Sequence, residues 1–429
     1  MKHTIYGGPE IAAVWPPDLW TSSRLAKASI GIEPGAERVP LGSVSPFDYT
    51  DIKLGALPPA FVESCLGQYP DLWVTPFQWT SWLQSWHQHI GMAAKSVPVT
   101  VIAYSNGVPV MILPLAVSSR YGYGCLTWQA YSLSDYGAPI VHQSFLERLR
   151  GFDGADFLQR IAGRLGGIDL IYLQKQLTHI GGIANPFVLQ EAFAHHAGAH
   201  AINFAAGESW ESFLLQRRSS KTRRRLKEKR NALERLGAVK FRLADNPGDA
   251  ASAIETCLGF KSEQLEKLGH WDPFSAASTR GFLLDYFSRD VGQKTWVAIL
   301  DLDSRPIAVA FGFAGRKEWL LYQMAMCGGG PEAQCSPGTH LLMNLMQHCI
   351  AAGLTRLDLA LGDEAYKSDW CDEHMALKTA TIAVTWRGVL CGELIALRAA
   401  LQARLASDPR LYNAGKWLKR VLKRVGISV

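Results

Sequence analysis

The sequence lacks the cysteine patterns that hold metal ions or stabilise small secreted folds. It contains eight scattered cysteines among 429 residues, and none forms a C-x-x-C pair. Cys327 and Cys335 lie closest together, and no cluster of His, Cys or Asp residues has the local spacing of a metal site. We therefore expect no metal ion, no disulfide framework and a reduced, cytoplasmic protein.

Other familiar patterns are missing as well. No apolar run approaches the roughly 20 residues of a membrane-spanning helix. The first residues, MKHTIYGGPEIAAVWPP, lack the charged and apolar regions of a secretory signal, so we expect none. No Gly-x-Ser-x-Gly motif is present, which argues against an α/β-hydrolase. With 48% hydrophobic and 19% charged residues, the composition is typical of a globular protein, and the length favours two domains.

Positive charge is concentrated in two segments. The stretch RRSSKTRRRLKEKR, residues 217–230, carries nine basic residues and one acidic residue, and Ser219-Ser220 within it predicts a kink or a new helix start. Residues 404–429 carry seven basic residues and one acidic residue. Because the whole chain has a net charge of +6, the remainder is acidic. This distribution favours localised contacts with anions over a broad nucleic-acid-binding face.

The sequence contains an internal repeat with an offset of 197 residues. Pro76-Phe77 lies 33 residues before Pro109, and Pro273-Phe274 lies 33 residues before Pro306. Each Pro-Phe pair precedes a predicted strand–turn–strand hairpin, and Asn106-Gly107 is a strong turn signal in the first. Both halves show the order helix, strands, helix, strand, which indicates a tandem duplication.

This repeat predicts an α+β fold of two tandem units, each a mixed, mainly antiparallel sheet flanked by helices. Residues 71–205 form the first predicted unit and residues 206–390 form the second. Residues 1–70 are rich in Pro and Gly and are predicted to be an extended strap. Residues 391–429 are predicted to form basic amphipathic helices, with an apolar stripe between Trp417 and Val425.

The second half contains a glycine-containing loop that leads into an amphipathic helix. A strand, EWLLYQMAM from Glu318, is followed by CGGGPEAQCSPGTHLL. Pro337 and Gly338 occupy the predicted first helical turn, with Ser336 as a candidate cap. Free N–H groups and the positive end of the helix dipole make such a turn an anion site, and Gly338 leaves room for a phosphate. The alternative is an ordinary capped helix.

Several stretches of the second half resemble a known family. They are SSKTRRRLKEKRNALERLG, the hairpin from Thr295, CSPGTHLL and LDLALGDEAYKSDW. Together they resemble the Gcn5-related N-acetyltransferase (GNAT) fold and, more closely, the CelD/BioF2-like acetyltransferases found beside bacterial polysaccharide genes. The resemblance covers roughly residues 70–390, and the tandem arrangement is similar to that of the FemABX peptidyltransferases.

The resemblance implies acetyl-CoA or another acyl-CoA as the donor co-substrate. In GNAT proteins an edge strand pairs with the pantetheine arm, and the N-terminus of the next helix holds the diphosphate. Those roles would fall on the strand around Tyr322 and Met324, and on Ser336, Gly338 and Thr339 at the start of the helix.

The motif GDEAYK places polar side chains at the end of the strand RLDLAL. Acyl transfer needs a base for the nucleophile, donors for the oxyanion and an acid for the leaving thiolate. Asp363 is predicted to be the base or to bind the acceptor, Tyr366 to protonate the thiolate, and Lys367 to bind a phosphate or polarise the thioester. The alternative is a salt-bridged turn in which Asp363 caps the next segment and Lys367 pairs with Glu364.

Other residues are candidates for binding the acceptor. Asp135 and Tyr136 are predicted to face it from the first repeat, with a structural hydrogen-bonded pair as the alternative. His270 is a candidate to line the acceptor site. Arg223 is a candidate to bind the diphosphate of a sugar nucleotide or a lipid-linked sugar, since guanidinium groups suit phosphate oxygens. The basic segment can instead bind the acceptor stem of a tRNA or form a solvated helix face.

The sequence thus predicts an acyltransferase that moves an acetyl or other acyl group to an amino sugar or polysaccharide precursor by direct attack. Two alternatives stay open. One is a FemABX-like transferase that uses aminoacyl-tRNA, and the other is a non-catalytic binding protein of exopolysaccharide assembly. The basic tail is predicted either to contact an anionic membrane surface, at the inner membrane, or to pack on its own domain.

Overall fold

The computed structural model describes most of the chain between residues 37 and 407. The described residues are 37–39, 46–55, 57–58, 61–62, 72–120, 122–189, 192–195 and 197–407. Most of the predicted strap over residues 1–70 lies outside these ranges. So does the predicted apolar stripe between Trp417 and Val425, and both stay predictions.

The helices of the described residues are numbered in chain order. They are α1 (Thr80–Trp86), α2 (Gly154–Leu165), α3 (Trp210–Arg217), α4 (Ser220–Glu234), α5 (Pro247–Leu268), α6 (Ala277–Arg289), α7 (Pro331–Gln334), α8 (Pro337–Ala351), α9 (Ala365–Trp370) and α10 (Trp386–Ser407). Short 3₁₀ or π turns cover Pro76–Gln78, His87–Gly91 and Gln143–Leu149.

The strands are numbered in the same way. They are β1 (Glu37–Val39), β2 (Tyr49–Leu54), β3 (Leu72–Trp73), β4 (Val97–Ser105), β5 (Val108–Arg120), β6 (Tyr123–Trp128), β7 (Ile140–His142), β8 (Leu170–Leu177), β9 (His179–Ile180), β10 (Ile183–Ala184), β11 (Phe193–Ala194), β12 (Ala199–Asn203), β13 (Val239–Leu243), β14 (Thr295–Leu302), β15 (Arg305–Ala314), β16 (Glu318–Met326), β17 (Arg356–Leu361), β18 (Glu373–Met375) and β19 (Leu377–Ala383).

The described residues divide into two compact units. Residues 198–374 form the downstream unit, and the described residues of 37–197 and 375–407 form the upstream unit. The sequence placed the boundaries at 205/206 and 390/391, and the difference comes from two strands. β12 follows the first repeat but pairs with β17, whereas β19 follows the second repeat but pairs with β8.

Both units contain a mixed, mainly antiparallel sheet flanked by helices, so the predicted fold class is confirmed. The upstream sheet has the order β1-β2-β4-β5-β6-β8-β19-β11, with β7 pairing with both β3 and β5. The downstream sheet has the order β13-β14-β15-β16-β17-β12-β18. In the downstream unit, α8 packs its leucines and Met346 into the core against the sheet. This packing is what the apolar periodicity of the helix predicts.

The repeat is visible in the strand pairing. The hairpins β4–β5 and β14–β15 both turn through two residues with positive φ, Asn106-Gly107 in the first and Asp303-Ser304 in the second. In each unit a helix then connects two parallel strands that pair over three residues, β6 with β8 and β16 with β17. The same order of elements therefore occurs twice.

The break predicted in the basic segment is present. α3 ends at Arg217 and α4 begins at Ser220, with the Ser219 side chain accepting a hydrogen bond from the Thr222 N–H at 3.2 Å. Ser219 is thus an N-cap that restarts the helix, because its hydroxyl satisfies a donor that the first turn leaves free. The restart allows the basic residues of α4 to follow a separate axis from α3.

Gly312 on β15 tests how closely β15 and β16 must approach. A Cβ atom at Gly312 would lie 1.9 Å from the Leu320 carbonyl oxygen, so Gly312→Ala forces backbone apart. We expect a loss of about 1–3 kcal/mol in the free energy of unfolding. The control is Gly259→Ala in α5, where a Cβ meets nothing within 4 Å and should stabilise by roughly 0.5–1 kcal/mol. Urea denaturation measures both, and an unchanged Gly312→Ala variant would contradict the close approach.

Candidate functional site

The two central strands of the downstream sheet separate along their length. β16 and β17 are parallel, and Glu318–Leu320 pairs with Arg356–Asp358. From Leu321 to Met326, β16 keeps β15 as a partner but has no strand on the β17 side within the described ranges. Its backbone N–H and C=O groups there form an open edge inside the sheet, which another extended chain can pair with.

An ion-pair network holds the paired end of these strands together. The Arg356 guanidinium lies 3.6 Å from Glu318, 3.3 Å from Asp358 and 2.5 Å from Glu373. Burial favours a lower pKa for Arg356, but the neighbouring carboxylates outweigh it and raise the pKa. Burial is the main cause of the raised pKa of Glu318. These contacts connect β16, β17 and β18 where β16 and β17 are paired. They do not extend to the part where the two strands separate.

Two β-bulges lie at the open end. The pairing of β15 with β16 shifts so that Tyr322 is an extra residue on β16, between Leu321 and Gln323. On β17, the register with β12 shifts opposite His200, and Ala360 has a φ of 53°. A bulge bends its strand and re-aims nearby side chains. The bulges therefore contribute to the divergence of β16 and β17.

The start of α8 lies at the same open end. Gly338 donates its N–H to the Sδ atom of Met326, the last residue of β16, at 3.3 Å. The N–H groups of Thr339 and His340 point to the Ser336 carbonyl, at 3.0 and 3.3 Å. Since a thioether is a weak acceptor, the Gly338 donor is available to a stronger one.

Ser336 does not cap α8 through its side chain, which corrects the role considered from the sequence. Its φ of 59° is left-handed, and its hydroxyl makes no cap hydrogen bond. The hydroxyl accepts instead from the ammonium of Lys229 in α4. The first turn of α8 is therefore without a side-chain cap, and a cation lies beside it.

α4, a helix rich in basic residues, contacts this helix start through Lys229. The pKa of Lys229 is lowered, mainly by burial and then by Arg225. The Nε atom of Arg223 is buried without a hydrogen-bond partner in the described part of the chain. Burial lowers the pKa of His340 to about 4, and the charges of Arg230 and Lys229 act in the same direction. Cations and a helix N-terminus together favour an anion.

Asp363 lies beyond the end of β17, at the same edge of the sheet as the start of α8. Its carboxylate accepts from the Gly198 N–H at 3.2 Å and contacts His200 Nε2 at 2.8 Å. The Asp363 side chain is 49% exposed. It is thus held by backbone and imidazole while one side stays open to solvent.

Lys367 has the contacts of the salt-bridged alternative. Its ammonium donates to the carbonyls of Ala360 at 3.4 Å and Leu361 at 2.9 Å, and it lies 2.9 Å from the Glu364 carboxylate. Lys367 is 2% exposed. In this state the ammonium ties α9 to the end of β17 and is not presented to solvent.

Tyr322 and Met324 belong to the open part of β16, and Tyr366 belongs to α9. Tyr366 is half-buried in α9 and packs against the core of the downstream unit. The Tyr322 ring stacks on Phe287, with the ring centroids 5.3 Å apart. Met324 is half-buried against the core. Its carbonyl accepts from the side chain of Gln323 at 3.2 Å.

His270 follows the C-terminal end of α5, near the loop after β16. Its N–H donates to the Leu265 carbonyl at 2.9 Å. Lys267, three residues earlier, donates to the Gly328 carbonyl at 3.2 Å. This places the chain around His270 close to the glycine loop that precedes α7.

Asp135 and Tyr136 belong to the upstream unit, where each contacts another residue of that unit. The Lys175 ammonium lies 4.0 Å from the Asp135 carboxylate, and the Tyr136 ring is buried against Phe77 at 5.7 Å. The next residue, Gly137, pairs with Gln176 of β8. This segment lies beside β8 in the upstream unit. In the downstream unit, the corresponding place beside β17 has no such segment within the described residues.

The upstream unit therefore differs from the downstream unit at two places, namely the strand edge and the first turn of the connecting helix. Its α2 is capped by Asp153, whose carboxylate accepts from the Asp156 N–H at 3.0 Å. At the corresponding place, α8 has no side-chain cap and its neighbours are cations. The start of α8 therefore differs from that of α2, because a lysine lies beside it where α2 has a capping carboxylate.

The family model for the acetyltransferase (GNAT) domain matches residues 220–368. This part of the chain is similar to a GNAT acetyltransferase domain. The matched range runs from the start of α4 to α9 and so includes the basic helix, the diverging strands, the start of α8 and Asp363. The CelD/BioF2-like subfamily stays a prediction. A search of curated proteins returned no match.

Several solved structures are similar to this chain at low sequence identity. FemX is 10% identical with a TM-score of 0.50, over 76% of this chain and 96% of that one. L-PGS from Bacillus licheniformis is 12% identical with a TM-score of 0.45, over 80% and 97%. A tandem GNAT protein from the clavulanic acid biosynthesis pathway is 10% identical with a TM-score of 0.41, over 78% and 99%. The likeness to FemX supports the GNAT-like architecture.

Membrane contact stays a prediction. Among the helices of the described ranges, none is long and apolar enough to cross a bilayer. α10 does expose a row of large apolar side chains, namely Trp386, Val389, Leu390, Leu394 and Leu397. The basic residues that the prediction relied on follow this helix and lie outside the described part of the chain.

The lowered pKa of His340 predicts an acid-sensitive helix start. Between pH 6.5 and 4 the unfolded chain binds a proton at this imidazole that the folded chain resists, so stability falls as pH falls. The difference reaches about 3 kcal/mol near pH 4. His340→Leu should remove this part of the pH dependence, as measured by urea denaturation at several pH values. His179→Gln, an exposed control, should keep it, and equal slopes in all three proteins would contradict the argument.

Proposed function

We propose that the protein is a GNAT-type acyltransferase that takes its acyl group from acetyl-CoA or another acyl-CoA. The observation that carries the proposal is the open edge of β16, which leads directly to the uncapped start of α8 beside Lys229. A long donor with amide groups in its arm and phosphates at its end matches this sequence of features.

The pantetheine arm would add to β16 as an extended strand. Residues 321–326 offer backbone donors and acceptors on the side that β17 leaves, and amides of the arm can pair with them. The bulge at Tyr322 supplies a backbone group outside the regular ladder. Such a group can donate to the thioester carbonyl, where negative charge develops during attack.

The diphosphate would lie at the first turn of α8. It would replace the Met326 thioether as the acceptor for the Gly338 N–H, since a phosphate oxygen is the stronger acceptor. Lys229 and Arg223 would neutralise its charge, and Thr339 lies in the same turn. Met326 therefore has to move when the donor binds.

Asp363 would act as the base. The amine or hydroxyl of the acceptor attacks the thioester carbon and passes its proton to the carboxylate, giving a tetrahedral intermediate. The carbon–sulfur bond then breaks, and the thiolate takes a proton from Tyr366. Lys367 would act indirectly, because its bonds to Ala360 and Leu361 fix the end of β17 from which Asp363 projects.

The acceptor is proposed to be an amino sugar or a polysaccharide precursor, in line with the sequence resemblance. Half of the Asp363 side chain faces solvent, which leaves an approach for a glycan. His270 is proposed to line that approach from the end of α5. Asp135 and Tyr136 are proposed as structural residues of the upstream unit, on the contacts described above.

An aminoacyl-tRNA-dependent transferase is the second candidate. The fold likeness to FemX and the basic residues of α4 favour it. The two candidate functions differ in the donor that the protein should bind. Acetyl-CoA should raise the melting temperature under the first and charged tRNA under the second, because a ligand that binds the folded state stabilises it. If neither does, the non-catalytic reading stands.

Lys229 tests the diphosphate site. Lys229→Ala should weaken binding of CoA by about tenfold or more, because it removes a charge-assisted contact. Binding of pantetheine, which has no diphosphate, should stay the same. Lys227→Ala is the matched control, since Lys227 is an exposed lysine of the same helix. Calorimetric titration decides, and equal losses in both variants would show general electrostatic attraction rather than a site.

Asp363 and Tyr366 test the chemistry. Asp363→Asn and Tyr366→Phe should each lower kcat by about 10²–10⁴-fold, with little change in the affinity for acetyl-CoA. The kcat of Tyr366→Phe should improve with a donor whose thiol is a better leaving group, because that donor needs less protonation. Steady-state kinetics with an amino-sugar acceptor measures both. Unchanged kcat in both variants would remove the GDEAYK motif from the mechanism.

A further inference from the structure

Three side chains that can bind metal ions meet beside the end of β17. They are His200 of β12, Asp363, and His374 of β18. One ligand atom from each lies within 4.8 Å of the others. His200 Nε2 is 2.8 Å from Asp363 Oδ1, and the two imidazole rings have centroids 4.7 Å apart.

The backbone around this cluster keeps the three side chains together. β12 lies between β17 and β18 in the sheet, so His200 has one partner on each side. The β17 bulge lies opposite His200 and accommodates it. A Cβ atom at Gly198 would lie 2.3 Å from Cε1 of His374, so a glycine is needed for the ring to sit there. The Gly198 N–H also fixes the Asp363 carboxylate, at 3.2 Å.

We propose that His200, Asp363 and His374 bind a divalent transition-metal ion, with Zn²⁺ as the best match. Two imidazole nitrogens and one carboxylate oxygen are ligands that Zn²⁺ accepts, at about 2.0–2.2 Å, and small side-chain rotations bring the three atoms to such distances. The ion replaces the direct contact between His200 and Asp363.

The site keeps at least one position for a further ligand. Asp363 is 49% exposed and His374 is exposed, so water or a substrate atom can complete the coordination. Three protein ligands with an open position are the arrangement of catalytic rather than structural zinc sites. An acceptor hydroxyl or amine can bind there, next to the Asp363 oxygen that does not hold the ion and that can still accept its proton.

This cluster could not be recognised from the sequence, because its residues are far apart along the chain. His200 and Asp363 are separated by 163 positions, and only the pairing of β12 with β17 brings them together. Metal binding can be measured with no acyl donor or acceptor present, so its outcome does not depend on the proposed acyl transfer.

Calorimetric titration of the full chain with Zn²⁺ tests the site. The protein must be free of affinity tags and treated with a chelator first. We expect one ion per chain for the wild type and loss of saturable binding in His200→Gln and His374→Gln. The matched control is His179→Gln, an exposed histidine of the upstream unit, which should bind as the wild type does. Zn²⁺ should also raise the melting temperature of the wild type and the control only.

Two results would overturn the proposal. In the first, the wild type takes up no ion. In the second, all four proteins bind alike, which would show surface histidines acting independently. His374→Gln keeps the test decisive if His200→Gln fails to fold, because His374 is an exposed side chain on the last strand of the sheet.

Discussion

The candidate site depends on how Arg356 joins the strands of the downstream sheet. Its guanidinium connects Glu318, Asp358 and Glu373 where β16 and β17 are paired, and beyond that point the bulges let the strands separate. Where the two strands separate, the N–H and C=O groups of β16 are free of strand partners within the described residues. They can bind a ligand without help from side chains. The proposed donor site is therefore built largely from main chain.

The two units of the duplicated architecture have different contacts at corresponding positions. In the upstream unit, residues before Gly137 fill the place beside β8, and Asp153 supplies the anion for α2. In the downstream unit, the corresponding positions are an open strand edge and the uncapped turn at Gly338. The same elements thus support packing in the upstream unit and, in the proposed function, ligand binding in the downstream unit.

The sequence predicted the parts of this site that depend on local order. The repeat spacing, the hairpin turns and the helix restart at Ser219 follow from turn chemistry and periodicity, and the structure shows each of them. The exchange of β12 and β19 between the units could not be predicted, because strand partners are chosen by tertiary packing. The cluster of His200, Asp363 and His374 was missed for the same reason, and the absence of a metal stays an untested expectation.

Individual side chains were harder to assign than elements. The position of Ser336 before Pro337 predicts a helix cap. In the structure its φ is left-handed, and its hydroxyl contacts Lys229 instead. The sequence is compatible with either a catalytic or a structural Lys367. In the structure its ammonium donates hydrogen bonds to two backbone carbonyls. Contacts of this kind depend on neighbours that are distant in sequence or on backbone angles that composition does not fix.

A crystal structure of the protein with acetyl-CoA tests the central claim most directly. The account predicts that the pantetheine arm pairs with residues 321–326 of β16, that the diphosphate accepts from the Gly338 N–H, and that Met326 leaves its present place. Density for the donor elsewhere on the chain, or a gap between β16 and β17 that stays empty at saturating donor, would contradict it.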